Sequence, residues 1–535
     1  MWDEPHFKEY MKKIRPNRPL LVDKLTDEMR KLKDINLIYP VGNGTYIHIM
    51  GLSGEEQKGF KVYRIIQPER PDPRAYELVE YAFSLEVADR EVPILKDDLE
   101  KFIKEILDKI IEISDTPVDY SKQKPSRKVK VYREDYDKLV YHFVRDHAST
   151  GFLEPFLLDP YIEDISYPGG GDMFIVHKLF GPLRVEPSFP PEEVEKLIVT
   201  LSEEFGKPIT HSKPIVDASL PDGSRLNVVY GSDVSRKGTN ITIRKFSKVP
   251  LSITQLINYG SIDERQAAYM WMMLEDGMNT FICGETASGK TTLMNALAAF
   301  LPPSNKIITI EDTPEVTLPH SNWVSEVTRD TGNPDTSVTM FDLLKAALRQ
   351  RPNTIIVGEI RGVEGNIAFQ AMQTGHQVMS TFHAGSVQSL VQRLTGAPIN
   401  VPKSHIDNLN IAVFTSAVRV KGRIARRVIS INEIIGFNPA AGGLIYVPVF
   451  TWEPSNDTFS FRGKGSSYLI QAKILLRRGL SKRDEAKLYE EMELRAALLR
   501  SLVERKVFNY YDVWRVICKV HERGLEEVAM KFNLI

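Results

Sequence analysis

The sequence predicts an α/β protein whose largest domain is a parallel β-sheet with helices on both faces. Two observations carry that prediction. The runs Thr280 to Cys283, Ile307 to Ile310, Thr354 to Val357 and Val378 to Thr381 are short, continuously apolar and separated by helical stretches, which is how strands read when neither face meets water. The first of them leads into Gly284-Glu285-Thr286-Ala287-Ser288-Gly289-Lys290-Thr291-Thr292, which fits the phosphate-loop pattern G-x-x-x-x-G-K-[ST] at every fixed position. A ligand of such a sheet sits beyond the carboxyl ends of its strands.

The chemistry of that loop follows from its residue types. Gly284 and Gly289 let the backbone bend so that successive N–H groups point inward and hold the α- and β-phosphates of a nucleotide. Lys290 can reach the β- and γ-phosphate oxygens, and Thr291 supplies a hydroxyl to Mg²⁺. The helix expected from Thr291 to Phe300 turns its positive end towards the same anions.

At 535 residues the chain exceeds what one core usually supports, so two to four domains are expected. A formal net charge of −1 argues in bulk for neither nucleic acid nor an acidic partner. Cys283 and Cys518 are too few for a disulfide framework or a structural zinc site, and the chain is expected to be intracellular. No apolar stretch approaches the roughly 20 residues needed to cross a bilayer. The N-terminus lacks the apolar core of a secretory signal, so membrane work would go through a partner or the surface.

Three domains are expected. Residues 1–120 form an N-terminal module whose expected role is partner or membrane contact. It has strand-like runs at Tyr46 to Met50 and Lys61 to Ile66, and a helix from Asp97 to Ile113 with Leu99, Ile103, Ile106, Ile110 and Ile113 at helical spacing. The polar stretch Ser114 to Lys130 reads as an exposed connection. Residues 121–245 form an α+β domain with helices at Arg133 to Asp146 and Pro191 to Phe205 and strands at Met173 to His177 and Asn240 to Arg244. A hinge at Lys245 to Ser252 opens into the phosphate-loop domain, 246–535. That domain continues through strands at Ile411 to Val420 and Arg427 to Ile435 and a polar hairpin at Trp452 to Lys464, then a mostly helical tail from Ser466 to Ile535.

Hydrolysis of a bound triphosphate also needs carboxylates, one to activate water and one for the outer shell of the metal. Two strand ends offer them. Ile307 to Ile310 runs into Glu311-Asp312-Thr313-Pro314-Glu315, and Thr354 to Val357 runs into Gly358-Glu359. The helix Thr339 to Arg351 ahead of the second strand opens on a capping-box-like Thr339 and Asp342. The last strand of the set is flanked by His376 and His383.

With these pieces in order, the stretch from about Tyr141 to Ser467 resembles the secretion-system ATPase superfamily, the hexameric motors of type II and type IV secretion, type IV pili and archaella. Four boxes carry the resemblance: the phosphate loop, IEDTPE (Ile310 to Glu315), RPNTIIVGEIRG (Arg351 to Gly362) and TGHQVMSTFHAG (Thr374 to Gly385). PDGSR (Pro221 to Arg225) and TNITIRKF (Thr239 to Phe246) are similar to its N-terminal domain. The resemblance implies a RecA-like ATPase domain, Glu315 as general base and Glu359 as the carboxylate that holds Mg²⁺ through water. It implies His376 and His383 as γ-phosphate sensors and Arg225 and Arg244 as arginines that approach the phosphates when domains close.

The family often has Asp where this chain has Asn353, which leaves the acidic role there to Glu359. Bacterial type II members often carry a four-cysteine zinc module that two cysteines cannot build. Arg393 to Asn410, Ile431 to Phe437 and Phe461 to Leu469 are most similar to archaeal members, above all the archaellum motor ATPase. The resemblance thus implies a homohexamer using ATP and Mg²⁺, peripheral at the inner face of the cytoplasmic membrane. Its implied partners are a polytopic platform protein and archaellum accessory proteins. An archaeal pilus or secretion ATPase is the alternative. A nucleic-acid translocase would need a basic channel with stacking aromatics, and no such run stands out, so nucleic acid is not expected.

Overall fold

The computed structural model describes residues 2–534 except 16–17, 27, 30–31, 33, 52–60, 89, 94, 205, 221, 247–248, 332, 421 and 439–442. Of the positions singled out above, Phe205, Pro221, Ser247, Lys248 and Ile535 lie outside the described residues. The chain forms two compact units, Met1–Ser247 and Lys248–Ile535.

The strands of the first unit are β1 (Leu20–Leu21), β2 (Asn36–Gly42), β3 (Thr45–Met50), β4 (Lys61–Ile66), β5 (Ile111–Ser114), β6 (Val129–Tyr132), β7 (Ile162–Tyr167), β8 (Phe174–His177), β9 (Gly181–Glu186), β10 (Ile215–Ser219), β11 (Arg225–Val229) and β12 (Asn240–Arg244). Among the described residues, ten of them make one sheet in the order β1-β2-β3-β4-β9-β8-β7-β12-β11-β10. The boundary expected at residue 120 therefore does not separate two sheets, because β4 and β9 pair in parallel with Tyr63 opposite Val185. Asp159, fully buried, accepts from the hydroxyls of Tyr39 and Tyr63 at 2.7 and 2.9 Å and so pins β2 and β4 to the chain just before β7.

Two local expectations change. The helix read over 97–113 ends at Ile110 and the chain goes on as β5, which leaves Ile113 exposed. The polar stretch after it is no free connection, since its end is β6, paired in parallel with β5. Alternating β-branched residues, Ile111 and Ile113 against Val129 and Val131, suit a strand better than a last helical turn.

In the second unit the strands are β13 (Thr280–Gly284), β14 (Ile307–Glu311), β15 (Trp323–Val327), β16 (Thr354–Glu359), β17 (Gln377–Phe382), β18 (Ile411–Val420), β19 (Arg423–Asn438), β20 (Gly443–Glu453) and β21 (Thr458–Phe461), ordered β15-β14-β16-β17-β13-β18-β19-β20-β21. From β15 across to β18 every pairing is parallel, and β19 to β21 extend the sheet antiparallel. Successive side chains enter opposite cores. Ile282, Ile307, Ile356 and Met379 face one, and Phe281, Ile308, Ile355 and Val378 the other. That two-sided burial is why these strands read as unbroken apolar runs. β15, an edge strand of half-exposed residues, has no such run and escapes notice in the sequence.

The helical tail is tied to the sheet by Glu433. This buried side chain of β19 accepts from Tyr269 Oη at 2.6 Å, Ser467 Oγ at 2.5 Å and the Leu469 amide at 3.1 Å. No helix among the described residues is long and apolar enough to cross a membrane.

Candidate active site

β13 ends at Gly284, and the helix Lys290–Ala298 starts directly after Gly289, whose φ of +90° lets the chain turn into the helix. The loop is braced from the β18 side. Ser288 Oγ lies 2.9 Å from Thr415 Oγ1, and Arg426 on β19 donates from Nε to the Ala287 carbonyl at 3.0 Å. Within it, Lys290 donates from Nζ to the Glu285 carbonyl at 2.9 Å. Burial lowers the pKa of this ammonium, against the opposing pull of the Glu359 charge. Glu285, Thr286 and Ala287 are exposed. An open bend at a helix N-terminus, with a buried lysine resting on a loop carbonyl, fits a polyphosphate that takes over the lysine.

Gly284 leaves no room for a side chain. A Cβ there would run into the Thr415 carbonyl and come within 2.6 Å of Ser288 Oγ. Gly284→Ala is expected to cost about 1–3 kcal/mol, as overpacking does, and to weaken ADP binding at least tenfold in calorimetry. Unchanged ADP affinity would show that the bend is not the binding element.

Glu359 closes β16. Its Oε2 accepts from Arg361 Nη2 at 2.6 Å and its Oε1 lies 3.1 Å from His383 Nε2. Burial pushes this carboxyl up, but Arg361, with help from His383 and Lys290, more than offsets it and holds the group below the usual carboxylate range. Glu359 is therefore an ionised carboxylate at neutral pH. Glu315 stands in the turn after β14, and its backbone is held at two points. Its amide donates to Glu311 Oε1 at 3.0 Å and its carbonyl accepts from Asn295 Nδ2 at 2.9 Å. Asn295 belongs to the helix Lys290–Ala298, and its Oδ1 also takes the Thr317 amide at 3.0 Å, so this turn is stapled to the phosphate-loop helix. Lys290 feels the charges of both Glu359 and Glu315.

The structure thus brings to this end of the sheet Glu359 beside His383, Glu315 in the turn stapled to the loop's helix, and Lys290, Thr291 and Thr292 on that helix's first turn. It does not bring His376. This residue precedes β17 while His383 follows it, and a strand of six residues rising about 3.3 Å each separates them by about 20 Å. β17 runs parallel to β13 with Phe382 opposite Cys283, so His383 lies at the loop end and His376 at the other. The imidazole of His376 meets Thr374 Oγ1 at 3.1 Å instead. His376 therefore stands apart from the γ-phosphate position that the sequence resemblance implies for it.

Arg225 and Arg244 sit opposite each other on β11 and β12 in the first unit. Both are exposed, in long ion pairs with Asp217 at 3.9 Å and Asp164 at 3.5 Å. Asn295, Thr415, Arg361 and Arg426 carry no signal of their own in the sequence, and Glu311 reads there only as one of the carboxylates that end the Ile307 to Ile310 strand, with no role of its own. Of these, Glu311 and Arg361 lie inside recognised boxes, and Arg361, two residues after Glu359, could have been found by that position.

A family model described as Type II/IV secretion system protein matches residues 192–426, a span that includes the phosphate loop, Glu315, Glu359 and His383. Residues 192–426 belong to the type II/IV secretion system family. An uncharacterized protein of Methanocaldococcus jannaschii is 42% identical over 536 residues, covering 98% of this chain and 96% of that one. The type IV secretion system protein PtlH of Bordetella pertussis is 33% identical over 210 residues, 35% of this chain and 62% of its own length. Among solved structures, the VirB11 ATPase from the Brucella suis type IV secretion system is similar at 25% identity over 52% of this chain and 91% of that one, with a TM-score of 0.28. The second unit has the RecA-like fold expected from the sequence, with the phosphate-loop strand β13 between β17 and β18.

Proposed function

We propose that this chain is a homohexameric, Mg²⁺-dependent ATPase that powers assembly or rotation of an archaellum at the cytoplasmic membrane. The phosphate loop with Lys290 at the head of its helix, the Glu315 turn stapled to that helix and Glu359 at the end of β16 carry the hydrolytic part of this reading. Lys290 leaves the Glu285 carbonyl for the β- and γ-phosphate oxygens. Glu315, held by its backbone on both sides, accepts the proton of the attacking water. Among the described residues no cluster of three or more His, Cys, Asp or Glu could hold a metal unaided. Thr291 and, through water, Glu359 would hold Mg²⁺, which suits an ion that keeps most of its waters and supplies charge neutralisation to the phosphates. His383, beside Glu359, positions the γ-phosphate.

Arg225 and Arg244 add positive charge to the bound nucleotide. Their adjacency, exposure and long ion pairs support this, since neither guanidinium is committed elsewhere by a tight pair. Phosphate release by the purified chain should stop when Mg²⁺ is chelated. In R225A/R244A turnover should fall on the order of 10²-fold, as loss of transition-state charge donors does, with ADP affinity kept. Turnover unaffected by chelation or by the double substitution would sink the metal or the arginine assignment respectively.

The archaellum assignment is supported by the archaeal-type segments Arg393 to Asn410, Ile431 to Phe437 and Phe461 to Leu469, and the near full-length relative in Methanocaldococcus jannaschii supports only the archaeal part of it. A polytopic platform protein would receive the force, and residues 1–120 are the proposed contact with it or with lipid. The match to PtlH favours a second reading, a secretion or pilus ATPase. Affinity capture of the full chain from native membranes separates them. Co-purifying archaellum components support the first reading, and pilin or secretion components the second.

A further inference from the structure

We infer that Glu311 is a positioning residue that sets the spacing between Glu315 and Glu359. The inference rests on the ATPase reading above. Glu311 closes β14 and is 2% exposed. Its Oε1 accepts from two consecutive amides, Glu315 and Val316, both at 3.0 Å, so this one oxygen ties the N–H side of the turn that carries the general base, while Asn295 holds its carbonyl. Its other side bears on the strand that ends in Glu359. A Cβ at Gly358 would lie 3.0 Å from Glu311 Cγ and 3.4 Å from Oε1. Gly358 also falls in the register shift between Val357 and Glu359, where β16 bends against β17.

One buried side chain therefore holds the Glu315 turn by two hydrogen bonds and fills the space that a side chain at Gly358, next to Glu359, would occupy. A lost methylene or an added methyl on that contact would shift one carboxylate relative to the other. Misplacements of this size are felt in turnover more than in binding. Oε2 is buried and makes no hydrogen bond among the described residues, and burial pushes the carboxyl up to about 8, so near neutrality Glu311 works as a neutral acceptor and bolt. An uncharged amide should do the same work.

The test compares full-length E311A, E311Q and G358A with the wild-type chain by ATP turnover, ADP calorimetry and amide hydrogen exchange. E311A should lower kcat on the order of tenfold or more, leave KM and ADP affinity within about twofold, and speed exchange at the amides of Glu315 and Val316. E311Q, which keeps the Oε1 acceptor, should recover most of the lost turnover, and G358A should lower kcat like E311A. Wild-type kcat in E311A overturns the inference. So does a loss of ADP binding as large as the loss of turnover, which would make Glu311 a residue of the fold alone. A wild-type chain that binds ADP but releases no phosphate would sink the ATPase reading instead, and the exchange rates would still report whether Glu311 holds the turn.

Discussion

Lys290→Ala is expected to lower ATP turnover on the order of 10²–10³-fold, the usual cost of removing one preorganised charge donor from a site where charge develops. The geometry makes the effect specific. Lys290 is 8% exposed and its ammonium is spent on one loop carbonyl, so the nucleotide has only to replace a neutral acceptor with anionic phosphate oxygens. Burial that lowers its pKa also raises the gain from meeting those oxygens. Because the residue stands at the first position of the helix Lys290–Ala298, alanine there keeps the helix, and circular dichroism should not change. Phosphate release at saturating ATP is the measurement. Turnover at the wild-type rate would place the chemistry elsewhere in the chain.

Glu315→Gln should produce a fall of similar or greater size, on the order of 10²–10⁴-fold, since a general base contributes that much. The amide preserves side-chain size, and both backbone ties, to Glu311 and to Asn295, involve main-chain atoms of residue 315 that the substitution leaves alone. ATP should therefore still bind, and single-turnover experiments should show bound ATP persisting uncleaved. Glu359→Gln provides the contrast. It removes the ionised partner of Arg361 and His383, so its loss of turnover should be recovered in part by raised Mg²⁺, whereas the Glu315→Gln loss should not. Recovery of Glu315→Gln by Mg²⁺ would exchange the two roles.

The parts of this site that were legible in the sequence are those whose chemistry lies within one turn of chain. The phosphate loop needs its glycines, lysine and hydroxyl at fixed spacing, because a single bend must present them together. Glu315 and Glu359 could be named because each ends or follows an apolar run. The parallel sheet was legible for a related reason: burial of both faces removes polar residues from the strands, and that absence is visible as a run. The half-exposed edge strand β15 and the short pair β5 and β6 leave no such trace.

The amino-acid sequence by itself determined that a nucleotide-binding parallel sheet is present, where its phosphate loop lies and which carboxylates stand at the strand tips. Tertiary structure alone decided which of those side chains meet. The direction of β17 separates two histidines that look equivalent in one box, and the pairing of β4 with β9 joins segments that look like separate domains. The braces on the loop and on the Glu315 turn come from Thr415, Arg426, Asn295 and Glu311. Most of these contacts join residues far apart in the chain, and no local pattern marks a side chain whose partner is chosen by packing.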